Sequence, residues 1–313
     1  MKPCRSPAGC RRCHQEDFPK ITGPTGYVEG AYQLRGHPRP TTPKWQQAGS
    51  WGVGDLIRAA VEKGAARIII GLGGSATTDA GFGMAQALGA EFVAADGTLI
   101  TKVCDIGSVA SVCLDNVDVR LSAVKFVIAS DVRNPLTGTQ GAAEVYGPQK
   151  GLDESDVVEV DAAIEKFAEV VEQEVGEAGL ADQPGAGAAG GLGFMAAALL
   201  KAEVRSGVDL VLDETSGERW LELADLLITG EGRIDAQTLS GKAPAGVAER
   251  ARARQIPVVA VCGQHQLDGT SSSDIFDAIY SLTEYEADVN ECIRNPLPIL
   301  KRIGQDISVR HLA

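Results

Sequence analysis

The stretch "RIIIGLGGSATTDAGFGMAQALGAEF", residues 67–92, decides how this chain is read. A short apolar run with three isoleucines in succession predicts a strand buried on both faces. It ends in a glycine turn. A knot of polar side chains follows, Ser75, Thr77, Thr78 and Asp79, before the apolar spacing of a helix begins at "FGMAQALGAEF". A strand that turns through glycines into a helix presents free backbone N–H groups and the positive end of a helix dipole, the usual setting for an anion.

Outward from that corner, the same grammar repeats. "VGDLIRAAVEKGA" predicts an amphipathic helix with Leu56, Ala60 and Val61 on one face. "AVKFVIAS" (123–130) predicts a second buried strand. "SDVVEVDAAIEKFAEVVEQEV" predicts a long helix capped by Ser155. "PGAGAAGGLG" (184–193) reads as a glycine loop feeding the helix "FMAAALLKAEV". "LADLLITG", "APAGVAERARARQ", "PVVAVCG" and "FDAIYSLT" predict strand, helix, strand and strand. Strands alternating with helices imply an α/β protein with mostly parallel strands.

Composition sets the outer bounds. At 313 residues the chain can hold two domains. A net charge of −13 argues against nucleic acid or an anionic membrane as partner. No apolar run approaches the ~18 residues of a membrane span, and no signal peptide opens the chain, so a cytoplasmic protein is expected. Residues 1–50 differ from the body: they carry 8 Lys and Arg against 3 Asp and Glu, whereas the remainder carries 21 against 39. In this front segment "ITGPTGYVEGAYQL" (21–34) predicts a hairpin. Cys10-Arg11-Arg12-Cys13-His14 fits the C-x-x-C-H haem pattern, read as chance without an export signal, and zinc there lacks a second paired half.

Ligands in open α/β sheets bind beyond the carboxyl ends of the strands, and three polar clusters fall there. One is Gly73 to Asp79. The second is Asp131-Val132-Arg133-Asn134-Pro135. The third is Glu231-Gly232-Arg233-Ile234-Asp235, with Thr238, Ser240 and Lys242 nearby. Asp79, Asp131, Glu231 and Asp235 are hard oxygen donors that suit Mg²⁺. Arg233 and Lys242 could neutralise a transferring phosphoryl group. The combination points to phosphoryl transfer from a nucleotide. A P-loop is excluded, since G-x-x-x-x-G-K-[ST] does not occur. "GLGGSA" (71–76) fits G-x-G-x-x-A after a strand, which keeps a nicotinamide-dependent oxidoreductase as an alternative.

Four long motifs, "IIIGLGGSATTDAGFGMAQALGA", "SDVRNPLTGTQGAAEVYGPQKG", "PGAGAAGGLGFMAAALLKAEVRSG" and "LLITGEGRIDAQTLSGKAPAGVA", together resemble the bacterial glycerate kinase family in order and spacing. The resemblance implies ATP and Mg²⁺, D-glycerate as acceptor, and 2-phosphoglycerate as the favoured product. It implies an α/β, two-domain fold: a Rossmann-like domain with an inserted second α/β domain at residues 21–222, and residues 223–313 as the C-terminal half of the Rossmann-like domain. Carried onto this sequence, it assigns Asp131, Arg233 and Asp235 to catalysis and Glu231 with Asp235 to metal. It assigns Gly73, Gly74, Ser75, Thr77, Thr78, Asp79, Asn134, Gly187, Gly190, Gly191 and Lys242 to substrate or nucleotide. A homo-oligomer stays open. Family members carry D-S-[FY]-K and A-D-G-G-E-G-T motifs ahead of the inserted domain, and residues 1–50 hold neither. Residues 1–20 are therefore expected to be a disordered non-family tail and the Rossmann-like domain to be incomplete, with a catalytically inactive remnant as the alternative function.

Overall fold

The structure is a computed structural model that describes residues 25–29, 45–235, 238, 243–266 and 275–312. The expected tail at 1–20, with its C-x-x-C-H pattern, and Ser240 and Lys242 lie outside the described residues.

The elements in chain order are β1 (Thr25–Glu29), α1 (Trp51–Glu62), β2 (Arg67–Gly71), α2 (Phe82–Ala87), β3 (Glu91–Ala94), β4 (Leu99–Ile100), β5 (Val109–Cys113) and β6 (Lys125–Ala129). There follow α3 (Ala142–Tyr146), α4 (Glu154–Val175), α5 (Ala188–Leu200), β7 (Glu203–Arg205), α6 (Gly207–Glu214) and α7 (Gly217–Glu222). The chain continues with β8 (Leu227–Ile234), α8 (Ala243–Arg252), β9 (Val258–His265), β10 (Ala278–Ser281), α9 (Leu282–Tyr285), α10 (Val289–Arg294) and α11 (Pro296–His311).

Two parallel sheets carry the architecture, ordered β1-β2-β6-β7 and β10-β9-β8. In β2 successive side chains face opposite sides of the sheet. Ile68 and Ile70, fully buried, join the main core under α1, α2 and α5, while Ile69 packs with Val127 and the α6 residue Leu210 on the other face. Phe82, Phe92 and Phe167 close the main core, with ring centroids 4.8 to 6.0 Å apart. The second sheet is also covered twice. Val258, Ala260 and Cys262 meet α8 and Leu221, whereas Val259 and Tyr280 meet Ile299, Ile303 and Ile307 of α11, spaced one turn apart.

Several expectations change. The part of 21–34 that is described, β1, pairs in parallel with β2 rather than showing the antiparallel geometry of a hairpin, because a strand as apolar as β2 is paired on both edges and covered on both faces. The helix expected through Phe92 stops at Ala87. Gly89 sits at φ +107 against the Asn116 carbonyl, and "EFVA" becomes the centre of a third, antiparallel sheet, β4-β3-β5. The cap of α4 is Asp153, which accepts from the Asp156 N–H in a capping box, and not Ser155. The helix expected over 194–204 ends at Leu200, with Lys201 at φ +51, and the chain re-enters the sheet as β7. Among the described residues no helix is long and apolar enough to cross a membrane.

Arg250 of α8 joins the two sheet units. It binds Asp209 of α6 at 2.7 Å and Glu218 of α7, and Glu218 also holds Arg254.

Candidate functional site

The β2–α2 corner separates into an outer and an inner half. Gly73 and Gly74 are exposed, Gly74 in the left-handed region at φ +61, and a side chain on Gly73 would meet nothing within 4 Å. Ser75 and Thr77 are half-buried. Thr78 and Asp79 turn inward, and the Thr78 hydroxyl is buried with no partner among the described residues.

Asp79 corrects its assignment to substrate. Its side chain is 0% exposed and its oxygens are already engaged. Oδ2 accepts from the Ser50 N–H and Ser50 hydroxyl, each at 2.8 Å, and from the Gly83 N–H at 3.0 Å, while Oδ1 accepts from the Gly81 N–H at 3.3 Å. Ser50 Oγ in turn accepts from the Met84 N–H. One carboxylate thus caps α2 and anchors the start of α1. Burial pushes its pKa up, opposed by these hydrogen bonds. The two helices approach closely there: a Cβ on Gly83 would lie 2.7 Å from the Trp51 nitrogen, and one on Gly54 2.6 Å from the Met84 carbonyl.

The glycines of 187–191 are also given a different task. Gly187, Gly190 and Gly191 are buried against backbone and not open to a ligand. A Cβ on Gly190 would lie 1.9 Å from the Thr77 carbonyl oxygen, on Gly191 2.6 Å from Ala80 Cα, and on Gly187 2.2 Å from the Pro135 oxygen. Ala189, Gly190 and Gly191 are all left-handed, so the regular part of α5 begins after them. Their missing side chains let this turn dock onto the corner, sealed by the Ala80 N–H donating to the Gly190 carbonyl at 2.9 Å.

Lys150 stands where these pieces meet, and residue-type reasoning passed over it. It is 5% exposed, and its ammonium donates to Ser75 Oγ at 2.9 Å and to the Thr77 carbonyl at 2.8 Å. Burial lowers its pKa to about 8, with the Asp79 charge acting the other way. The one sequence signal was a lysine inside "YGPQKG", hemmed by glycines and a proline.

At the end of β6, Asp131 is exposed and its Oδ1 accepts from the Gly207 N–H at 3.0 Å, at the start of α6. The Asn134 side chain accepts from Tyr146 at 2.9 Å and donates to the Gln140 carbonyl, and its carbonyl holds the Gly187 N–H.

The third cluster caps β8. Thr238, fully buried, donates to Glu231, and its hydroxyl accepts from the Asp235 N–H at 3.1 Å. Arg233 lies 3.6 Å from Asp235 and donates to Gln266. Beside them His265 Nε2 pairs with Glu284 at 3.0 Å. The sequence residues therefore gather into a Ser75–Thr77–Gly190 group at the first sheet and a Glu231–Arg233–Asp235 group at the second, with Asp131 at the end of β6 bound to the first amide of α6. Among the described residues no three His, Cys, Asp or Glu side chains cluster as a metal cage.

Two parallel α/β sheets with polar turns at their carboxyl ends define a ligand-binding protein of the doubly wound kind. The model of the glycerate kinase family matches residues 20–312. The glycerate kinase of Halalkalibacterium halodurans is 38% identical over 312 residues, covering 93% of this chain and 81% of that protein. The glycerate 2-kinase of Escherichia coli K12 is 39% identical over 261 residues, covering 83% and 68%. A crystal structure of a glycerate kinase 2 candidate from Salmonella typhimurium LT2 superposes with a TM-score of 0.71 at 38% identity, covering 90% of this chain and 77% of that one. The chain belongs to the glycerate kinase family, a family of phosphotransferases. The match runs through the G-x-G-x-x-A turn, so the nicotinamide reading is set aside.

Proposed function

We propose that the chain transfers the γ-phosphoryl group of ATP to a hydroxyl of D-glycerate, giving 2-phosphoglycerate. What carries this reading is the presence of open, polar strand ends on both sheets within a chain that matches the glycerate kinase family along nearly its whole described length. The exposed Gly73–Gly74 backbone and the Ser75 hydroxyl take an anionic group of one substrate. Thr77 works from the same corner, and Asn134 holds the neighbouring loop. Asp131, at the edge of the first unit, acts on the acceptor hydroxyl. Arg233 stabilises charge that develops on the phosphoryl group in flight, and Lys242 is proposed for the same role.

Glu231 and Asp235 would hold Mg²⁺. Two hard carboxylates steadied by Thr238 fit an ion that takes one or two protein oxygens and completes its shell with phosphates and water. When bound, the ion would supply positive charge to the nucleotide phosphates.

An ADP-release assay with D-glycerate on the full chain tests the reading. In an active enzyme Asp131→Asn, Glu231→Gln and Asp235→Asn should each lower kcat by about 10²–10³ with the fold intact. Unchanged turnover in all three would remove these assignments. A folded wild-type chain that binds ATP and D-glycerate without turnover would favour the inactive-remnant alternative.

A further inference from the structure

We propose that Lys150 is a positioning residue that fixes the Ser75 hydroxyl as a hydrogen-bond donor to an anionic oxygen of the ligand held at the Gly73–Gly74 turn. The proposal deepens the phosphotransfer reading and rests on it for the ligand. A serine hydroxyl has one proton to give and two lone pairs to receive with, whereas an ammonium can only donate. At 2.9 Å from Lys150 Nζ, Ser75 Oγ must therefore accept, which leaves its proton for another partner. Among the described residues no acceptor takes that proton, and Ser75 is half-exposed beside the exposed Gly73 and Gly74.

The surroundings hold the lysine to this task. A second N–H is tied to the Thr77 carbonyl at 2.8 Å, one residue from Ser75's other neighbour. Gly190, whose Cβ would stand 3.0 Å from Nζ, leaves the ammonium its room. The titratable group acting on it from the β2–α2 corner is Asp79. Ala189, Gly190 and Gly191 of the α5 turn bring no titratable group.

A proton leaving this lysine changes the logic. The neutral amine keeps two N–H groups and gains a lone pair. The Ser75 proton can then turn to the amine, and the ligand loses its donor. Burial brings that change to about pH 8, within reach of an assay. The anionic oxygen belongs to a carboxylate, as in glycerate, or to a phosphate, as in ATP, and the two arms below separate them.

The test measures ADP release by the full chain from about pH 7 to about pH 9.5, varying D-glycerate and ATP separately. The variants are Ser75→Ala, Lys150→Met, Lys150→Arg and the double variant. In the wild type the KM for one substrate, not both, should rise on the order of 10-fold across the interval, the scale of a lost hydrogen bond to a charged group, with kcat nearly flat. Ser75→Ala should start at the raised KM and show no rise. Adding Lys150→Met to Ser75→Ala should raise KM no further. Lys150→Arg should keep the low KM at about pH 9.5, since a guanidinium does not lose its proton there. If the wild type shows no turnover, the phosphotransfer reading falls. Calorimetric Kd values for ATP and D-glycerate over the same pH range then judge Lys150 alone. Should Lys150→Met not fold, the wild-type and Ser75→Ala profiles still decide. A pH-independent KM or Kd in the wild type, or a Ser75→Ala variant that keeps the rise, overturns the proposal and leaves Lys150 as a structural clamp.

Discussion

The two parallel sheets invite comparison because they use the same strand type under different support. In the first, β2 and β6 each have a parallel neighbour on both edges and helices on both faces. In the second, among the described residues, only β9 is flanked twice. β8, which carries Glu231 and Arg233, lies at an edge of the described sheet, and Ile228 on it is 53% exposed. An edge strand presents unpaired backbone groups and opens more easily than a central one. The residues proposed to hold a binding turn thus rest on the firm sheet, and those proposed to handle the phosphoryl group rest on the soft one.

Hydrogen exchange is the sharpest way to break that contrast. Amides of β2 and β6 should open only with the whole unit, while those of β8 open at a cost lower by several kcal/mol. Equal protection in both would remove the distinction. Next in size is Asp79→Ala, which strands buried donors at the starts of α1 and α2. Losses of about 1–3 kcal/mol per unsatisfied group lead us to expect about 3 kcal/mol overall, read as denaturant midpoint by a probe in the first unit. Asp79→Asn should recover most of it, because an amide oxygen at the Oδ2 position still accepts from Ser50 and Gly83, and only the 3.3 Å Gly81 N–H then faces the NH2 group. The exchange pattern of 227–265 should stay as it was.

The third effect is a slope. An unfolded lysine keeps its proton to about 10.5, whereas Lys150 loses it at about 8. Between those values the unfolded state binds more protons, so folding stability rises with pH, by roughly 3 kcal/mol over the whole interval. Cys262, its thiol pushed up to about 11 by burial, works in the opposite sense over the upper part of that range. The quantity to measure is therefore the difference between wild type and Lys150→Met, in which the cysteine cancels. A difference that does not change between pH 8 and 10.5 would mean that Lys150 titrates as a free lysine. Smallest is Ala189→Gly. Relief of left-handed strain, about 1–2 kcal/mol, exceeds the roughly 0.5–1 kcal/mol added to the freedom of the unfolded chain. Stability should rise by about 0.5 kcal/mol, visible as a small increase in Tm; a decrease would show that Ala189 is not strained.

Much of this was legible in the sequence wherever the apolar period was long and the punctuation clear. "RIIIG" and "KFVIA" read as buried strands because three or more consecutive apolar residues leave no solvent face, and both are. The antiparallel sheet was not legible. Its strands are two to five residues long, and "GAEF" keeps the apolar spacing of α2 in sequence although Gly89 breaks the helix. At the site, glycines and hydroxyls announced a tight corner but not which of them faced outward. Asp79 looked like a ligand because an acid beside threonines does; only the position of Ser50, 29 residues earlier, makes it a cap. Lys150 was hidden for the converse reason, since lysine is ordinarily a surface residue and its partners lie more than 70 positions away.

The ionic junction at Arg250 has a mechanical consequence. One side chain on α8 reaches Asp209 on α6 and Glu218 on α7, all about a third exposed, and Asp209 is two residues from Gly207, whose amide holds Asp131. Ion pairs as wet as these tie the two units by charge rather than by packing, and each pair holds only weakly. Dissolved salt shields partly wetted charges at these distances. Ionic strength therefore acts as a dial on this tie, loosening the charged link between the two sheet units as salt is added.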